Sequence, residues 1–300
     1  MAKKILPAYR VLLYYKYVAI ENPHQYIEYH LRFCKSLNLK GRIIVAPEGI
    51  NGTVCGTYDQ TEAYINAMKM DKRFEDIEFK IDNENDNTFK KMFVRYKDEL
   101  VTLKYEDDIN PNEITGVHLP PDKFLEMMNR EDVVIVDARN EYEYDIGHFK
   151  NAIKPEGIDN FKQFPDFIRK NLSEYKDKKI LAYCTGGIRC EKFTGVLLKE
   201  GFKDVYQLDG GIISYGKNKK TLGKDFEGKC YVFDERISVE VNKVNPVVVG
   251  KCLHCQLPNE RYVNCSNEKC HMHFILCEDC DEKYNGACSD DCKKVLQEAK

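Results

Sequence analysis

The chain has 300 residues, 43% of them hydrophobic and 32% charged, a composition typical of soluble globular proteins with more than one domain. Its formal net charge of −3 excludes a uniformly basic nucleic-acid-binding protein, so any RNA contact requires a local basic surface. Neither a membrane-spanning apolar stretch nor the apolar core of a signal peptide is evident, which predicts a cytoplasmic protein without membrane contact.

Residues 1–85 alternate strand and helix signals in the order βαββαβ. The predicted elements are a strand over 9–18, a helix over 23–37, strand fragments over 43–46 and 53–54, a helix over 61–70 and a strand over 77–81. This order predicts a ferredoxin-like sandwich, with two helices on a four-stranded antiparallel sheet. At its centre, Asn51-Gly52 predicts a tight hairpin turn. The surrounding segment, 46–53, either only turns the chain or also contacts a substrate.

Residues 86–117 are polar and charged, and we interpret them as a linker with short strands. This region contains one of two basic clusters in the chain, and the other follows the central domain. The clusters are Lys90, Lys91, Arg95 and Lys97, and Lys217, Lys219, Lys220 and Lys224. Each is either a solvated surface or a site of RNA contact.

Residues 118–222 alternate helix and strand signals and predict a parallel α/β domain. Its short apolar runs, 133–136, 180–183 and 205–208, are typical of buried parallel strands. The run at 180–183 leads directly into Cys184, and a helical pattern follows. A cysteine at such a strand-to-helix turn lies at the positive end of the helix dipole, so we expect its thiolate to be stabilised.

The loop after Cys184 is built to hold an anion. The glycines allow backbone amides to point at the sulfur, and Arg189 adds a cation. The residues between Cys184 and Arg189 are Thr185, Gly186, Gly187 and Ile188. A loop of this length suits a sulfur or a persulfide better than a tetrahedral phosphate. Cys190, in the first helical turn, is either a resolving thiol or a passive small residue.

Residues 223–250 read as a β-type extension, and residues 251–300 are rich in cysteine. Eight of the thirteen cysteines lie after residue 251, and in a reducing compartment they predict metal binding rather than disulfides. They form four pairs: Cys252 and Cys255, Cys265 and Cys270, Cys277 and Cys280, and Cys288 and Cys292. Eight thiolates satisfy two closed zinc sites. The alternatives are an iron–sulfur cluster and redox-active thiols. Spacing does not decide the pairing, but we expect the cross-braced arrangement over the sequential one.

Three segments, 133–152, 184–192 and 208–212, resemble the rhodanese homology domain over roughly residues 118–220. Five residues match that family's Asp-x-Arg and Glu-x-x-x-Gly-His positions: Asp137, Arg139, Glu143, Gly147 and His148. The resemblance implies that they hold the domain together around the cysteine loop. For His148 we therefore expect a hydrogen-bonded structural histidine and not a catalytic base.

With the segment 46–53 and the cysteine-rich tail, nearly the whole chain resembles the rhodanese-domain tRNA uridine hydroxylases. The resemblance implies oxygen-dependent 5-hydroxylation of the wobble uridine in tRNA, with Cys184 as the catalytic residue, the other loop residues as its cradle and molecular oxygen as co-substrate. No iron triad and no flavin, haem or nucleotide motif is evident in the sequence. One alternative is a sulfurtransferase that carries a persulfide on Cys184 and is charged by a sulfur donor. The other is a non-catalytic RNA-binding or scaffold module.

Overall fold

The computed structural model describes residues 7–107, 109–270 and 272–298. The first domain is a sheet with two helices on one face. Its elements are β1 (Tyr9–Tyr17), α1 (Pro23–Ser36), β2 (Lys40–Ala46), β3 (Gly49–Thr57), α2 (Tyr58–Met70), a 3₁₀ turn (Lys72–Phe74), β4 (Lys80–Glu84) and β5 (Met92–Tyr96). Helix α1 begins with Pro23, whose fixed φ suits a first helical position. Thr57 and Gln60 form a capping box at the start of α2.

The strand order is β4-β1-β3-β2-β5, so the predicted βαββαβ order is confirmed but the sheet has a fifth strand. Strand β5 lies in the region that we interpreted as a linker, and it pairs in parallel with β2. Only Val94 at its centre is buried, while the residues on either side are partly or largely exposed. A strand with so few buried positions gives a weak hydrophobic pattern, which is why the sequence predicted only short strands of a linker here and not a fifth strand of this sheet.

The predicted hairpin turn at Asn51-Gly52 is wrong. The chain turns at Pro47 and Glu48, and Asn51-Gly52 lies inside β3. Gly49, at the end of the turn, has a φ of +148° that only glycine adopts readily. Gly52 lies directly against the Tyr14 ring, where a side chain would not fit. Packing against Tyr14 therefore explains why a glycine stands at position 52, although local turn preference had suggested that Gly52 belongs to a turn.

The central domain is built on a parallel sheet, as predicted, and the order of its strands is β6-β10-β9-β7. Its elements are β6 (Val117–Leu119), α3 (Pro121–Met128), β7 (Val133–Asp137), α4 (Glu141–Ile146), β8 (Gly147–Phe149), a 3₁₀ turn (Phe161–Gln163), α5 (Phe164–Phe167), a π turn (Ile168–Leu172), a 3₁₀ turn (Ser173–Tyr175), β9 (Lys179–Tyr183), α6 (Ile188–Lys199), β10 (Asp204–Leu208) and α7 (Gly211–Lys217). Apolar side chains cover both faces of the sheet, as expected of parallel strands.

The extension continues the central domain with β11 (Phe226–Tyr231) and β12 (Ser238–Glu240), which form an antiparallel sheet with β8. The tail then adds β13 (Tyr262–Asn264), β14 (His273–Ile275), α8 (Glu278–Tyr284) and α9 (Asp290–Glu298). Four cysteines, Cys252, Cys265, Cys280 and Cys292, are among its buried side chains. Within the described ranges, no helix is both long and apolar enough to cross a bilayer.

The first domain is joined to the rest of the chain by buried and half-buried ion pairs. Lys192 of α6, with only 1% of its side chain exposed, lies 2.9 Å from the Glu48 carboxylate and 3.0 Å from that of Glu99. Arg236 lies 3.2 Å from Asp82 and 2.8 Å from Glu84. Because a buried ammonium group is costly without partners, these contacts fix the sheet of the first domain over the cysteine loop.

We expect Lys192→Met to lower the free energy of unfolding by about 3 kcal/mol, because it leaves two carboxylates at the domain interface without their partner. The expected loss is at the lower end of the usual range because Glu48 and Glu99 keep 23% and 26% of their side-chain surface exposed. The matched control is Lys203→Met, since Lys203 and its partner Asp177 are 76% and 87% exposed. Denaturant unfolding measures both, and equal stability of the two variants would contradict the role of Lys192.

Candidate active site and metal-binding clusters

The cysteine loop forms a cradle of backbone groups around one buried sulfur. Cys184 follows β9 directly, and its Sγ accepts a hydrogen bond of 3.1 Å from the Gly187 N–H. Gly187 has a φ of +104°, which turns the chain toward the sulfur before α6 begins. The backbone N–H groups of Ile212 and Ile213 bond to the carbonyls of Cys184 and Thr185, so α7 holds the loop from below.

The surroundings of Cys184 favour its thiolate. Burial opposes ionisation, but a hydrogen bond from the Cys190 thiol, the charge of Arg189 and the N–H groups of Cys190 and Gly187 lower the pKa of Cys184 to about 6. Burial and the neighbouring Cys184 together raise the pKa of Cys190. Cys190 therefore stays a protonated donor, a role beyond that of a passive small residue, and Cys184 is largely ionised at neutral pH.

Arg189 is held in place by a buried carboxylate. Its two terminal nitrogens lie 2.6 and 2.8 Å from the Glu143 oxygens, and the guanidinium also donates to Thr185 Oγ1 at 3.2 Å. Glu143 is fully buried, which alone would raise its pKa, but the charge of Arg189 lowers it. This bidentate pair keeps the guanidinium next to the loop, where its charge acts on the sulfur.

The remaining residues of the family pattern lie beneath the loop. Asp137 and Arg139 are both fully buried and form an ion pair, and Arg139 also donates to the Gly147 carbonyl at 2.6 Å. The His148 ring stacks on Tyr144 at 3.9 Å, and its Nδ1 lies 2.9 Å from the Tyr144 carbonyl oxygen. Neither His148 nor the Asp137–Arg139 pair lines the cavity above Cys184.

A cavity of about 380 Å³ opens above Cys184 and is lined by both domains. The loop contributes Cys184, Thr185, Gly186, Ile188 and Arg189. The opposite wall comes from residues that the sequence did not single out, namely Leu13, Tyr15, Arg42, Ile44, Val101 and Phe233. It also includes Asn51, Gly52 and Thr53, so the segment left open as a turn or a substrate contact does face the cavity.

The sheet of the first domain presses directly on the glycines of the loop. A Cβ on Gly186 would lie 3.0 Å from the Leu13 side chain, and one on Gly187 would lie 2.9 Å from the Tyr15 hydroxyl. That hydroxyl donates to Glu191 at 2.9 Å, and His118 lies at the same distance from the same carboxylate. Burial would raise the pKa of Glu191, but these hydrogen bonds lower it. A charged Glu191 thus fixes Tyr15 over the loop.

The eight tail cysteines form two groups of four thiols. The first group is Cys252, Cys255, Cys277 and Cys280, and the second is Cys265, Cys270, Cys288 and Cys292. Within each group the sulfur atoms lie within 4.8 Å of one another, which is close enough to bind one metal ion. The first pair joins the third and the second joins the fourth, which is the cross-braced arrangement that we expected.

Comparisons with known protein families cover most of the chain. A model described as a UPF0176 acylphosphatase like domain matches residues 9–100. A rhodanese-like domain matches residues 120–218, and a model described as rhodanase C-terminal matches residues 227–293. These ranges correspond to the first domain, the central domain, and the extension with the cysteine-rich tail.

Curated relatives align over almost the full length. A tRNA uridine(34) hydroxylase of Bacillus licheniformis is 58% identical over 285 residues, which are 95% of this chain and 88% of that protein. One of Bacillus mycoides is 57% identical over 285 residues, with 95% and 89% covered. The solved structure of a rhodanese-like domain protein from Staphylococcus aureus is 26% identical in sequence to the matched part of this chain. The match covers 33% of this chain and 91% of that chain. The TM-score of this match is 0.28.

We expect Cys190→Ala to raise the pKa of Cys184 above about 6, because it removes the thiol that donates to the thiolate. Alkylation of Cys184 by iodoacetamide should then be slower near pH 6 to 7 and unchanged at high pH, where the sulfur is ionised in both proteins. Peptide mass spectrometry at a series of pH values measures this rate for Cys184 alone.

The control is Cys34→Ala, which removes a thiol buried in the first domain, away from the loop. An unchanged alkylation midpoint in Cys190→Ala would contradict the donor role of Cys190. Arg189→Ala is a poorer test, because it leaves Glu143 buried without its partner and so also destabilises the loop.

Proposed function

The chain belongs to the tRNA uridine(34) hydroxylase family, and on this premise we propose that it hydroxylates C5 of the wobble uridine in tRNA, with Cys184 as the catalytic residue. The observation that carries the proposal is a cysteine of lowered pKa at the base of a cavity that both domains enclose. Because its substrate is tRNA, we place the reaction in the cytoplasm.

The cavity suits one unstacked pyrimidine. A volume of about 380 Å³ is at the small end of ligand sites, and a uridine of an anticodon loop can turn out of its stack to enter it. Cys184 then faces the ring as a nucleophile. Addition of the thiolate to C6 would form an S–C6 bond, break the C5–C6 π bond and leave its electron pair on C5, the position that is hydroxylated. Loss of the C5 proton after hydroxylation would restore the double bond and release the thiolate.

Arg189 and the loop amides have a different part in this proposal. They stabilise the thiolate before the base binds, so that the nucleophile is present at neutral pH. Several cavity residues are apolar, including Leu13, Ile44, Val101 and Ile188, and they limit the access of water to the ring. Such a lining also accepts a small apolar molecule, which agrees with molecular oxygen as the co-substrate that the family resemblance implies.

The tail is proposed to hold two structural zinc ions. Each group offers four thiols and no carboxylate or water-bearing position, and a four-sulfur set matches the closed tetrahedral sites of zinc. When bound, zinc would supply the folding free energy that this short, apolar-poor segment lacks. The chain's own cysteines provide the ligands, and the catalytic chemistry stays at Cys184.

The loop geometry also favours a second candidate function. Amides directed at one sulfur in a four-residue loop would hold the outer sulfur of a persulfide, as in a sulfurtransferase. This alternative differs from hydroxylation in its product, a thiolated base, and in its need for a sulfur donor.

We expect Cys184→Ser to abolish wobble-uridine hydroxylation, because a serine hydroxyl has a far higher pKa and stays protonated at neutral pH. The measurement is mass spectrometry of tRNA nucleosides from cells that lack the gene and carry either the parent or the variant. The control is Cys230→Ser, since Cys230 is fully buried but does not line the cavity.

Three outcomes separate the candidate functions. Loss of hydroxyuridine derivatives in the Cys184 variant alone supports the hydroxylase. Loss of thiolated bases would instead identify a sulfurtransferase, and unchanged nucleosides would identify a non-catalytic module.

The purified protein should contain about two zinc ions per chain. Cys277→Ser should lower that content, because Cys277 is a member of the first thiol group, and should make the tail more sensitive to protease. Cys184 should keep its alkylation rate in this variant. Elemental analysis and limited proteolysis provide the measurements, and iron or no metal in place of zinc would refute the assignment.

A further inference from the structure

We propose that the exposed part of the first sheet beside the Cys184 cavity, formed by Arg42, Phe93 and Arg95 and here called the β2–β5 face, binds single-stranded RNA. The inference rests on the proposed function and deepens it. It assigns to this face the nucleotides that flank the reacting uridine in the anticodon loop.

The register of the sheet places these side chains together. Arg42 of β2 lies opposite Phe93 of β5, and Ile44 lies opposite Arg95. The alternate residues Ile43, Val45 and Val94 are buried in the core under the helices. Because side chains alternate along a strand, Arg42, Phe93 and Arg95 project from the other side of the sheet.

The β2–β5 face is continuous with the candidate active site. Arg42 and Ile44 line the cavity above Cys184, and β5 is the next strand outward from them. Neighbouring strands are only about 4.8 Å apart. A nucleotide next to the reacting uridine would therefore lie over β5 when that uridine is in the cavity.

The chemistry of the face matches unpaired bases and phosphates. Phe93 is 38% exposed, and the Arg95 guanidinium lies 4.9 Å from the centre of its ring. An exposed aromatic ring offers a stacking surface for any base, and an adjacent arginine can reach the phosphate. A duplex would conceal its base faces from Phe93, so the arrangement favours a single-stranded loop over a helical stem.

Charge pairing distinguishes the two basic clusters that the sequence suggested. In the cluster after the central domain, Lys217 is paired with Asp82 and Lys220 with Asp122. In the part of the chain that the structure describes, Arg42, Arg95 and the neighbouring Lys91 and Lys97 form no ion pair, and only Lys90 is paired, with Glu235. Lys219 and Lys224 of the second cluster likewise form no ion pair among the described residues, so the difference lies in the arginines: the unpaired cations around β5 include two guanidinium groups, Arg42 and Arg95, next to the cavity.

The test uses the full chain with Cys184→Ser, so that binding is measured without turnover. The probe is a fluorescent anticodon stem–loop RNA with uridine at the wobble position, titrated at several salt concentrations. Phe93→Ala should weaken binding about tenfold through lost stacking. Arg42→Ala with Arg95→Ala should weaken binding and reduce the slope of log affinity against log salt by about 0.7 for each lost phosphate contact.

Matched controls lie on the helices that cover the opposite side of the sheet. Tyr29 of α1 is 61% exposed, and Lys69 of α2 is exposed and unpaired among the described residues. Tyr29→Ala and Lys69→Ala should leave affinity and salt slope unchanged. Thermal unfolding of every variant confirms that the fold is retained.

Two results would overturn the proposal. One is parent-like RNA affinity in both the Phe93 and the arginine variants, which would be the result if this face bound a protein. The other is equal affinity for the stem–loop and for a fully paired RNA duplex. Because binding is measured in an inactive variant, it does not depend on hydroxylation. Weakened RNA binding without any hydroxyuridine in cells would refute the proposed function and leave the RNA-binding face supported.

Discussion

The buried ammonium group of Lys192 is the constraint on which the candidate site depends. Its partners, Glu48 and Glu99, come from the β2–β3 turn and from the segment after β5. An unpaired buried charge is strongly unfavourable, and the Lys192 ammonium group has both of its carboxylate partners only when the first domain docks in this one position. That position brings Leu13 and Tyr15 onto the glycines of the cysteine loop and closes the cavity. The opposite wall of the cavity is thus a product of this interface, whereas the reactivity of the thiol comes from its own loop and from the helix that follows it.

The parts of the fold that could be predicted are those with a strong local signal. Strands β7, β9 and β10 are short apolar runs between helical patterns, and a parallel sheet follows from them. Strand β5 gave a weaker signal and was predicted only as part of a linker with short strands, because it lies at a sheet edge and exposes Phe93, Arg95 and Tyr96. The Asn51-Gly52 pair gave a misleading signal for a hairpin turn, because the packing of Tyr14 against Gly52 cannot be inferred from local turn preference.

The residues of the candidate site likewise include some that the sequence revealed and some that it did not. Cys184, its glycines and Arg189 are contiguous, so the sequence showed them together as one motif. The opposite wall is assembled from three strands of another domain together with Val101 and Phe233, and no spacing in the chain connects them. Cysteine spacing likewise predicted two metal clusters, whereas only the folded tail decides which pairs share an ion.

The enclosure of Cys184 has a consequence for the durability of the protein. In the proposed reaction Cys184 is a thiolate that works alongside oxygen, and such a thiolate is at risk of oxidation to sulfenic acid and then to forms that the cell does not readily reduce. Ionisation increases that risk and burial decreases it, and Cys184 is both ionised and fully buried. A base seated in the cavity would also block the remaining path to the sulfur. Oxidation of Cys184 should therefore accumulate mainly in molecules that have no RNA bound. A supply of unmodified tRNA would itself protect the enzyme from this oxidation.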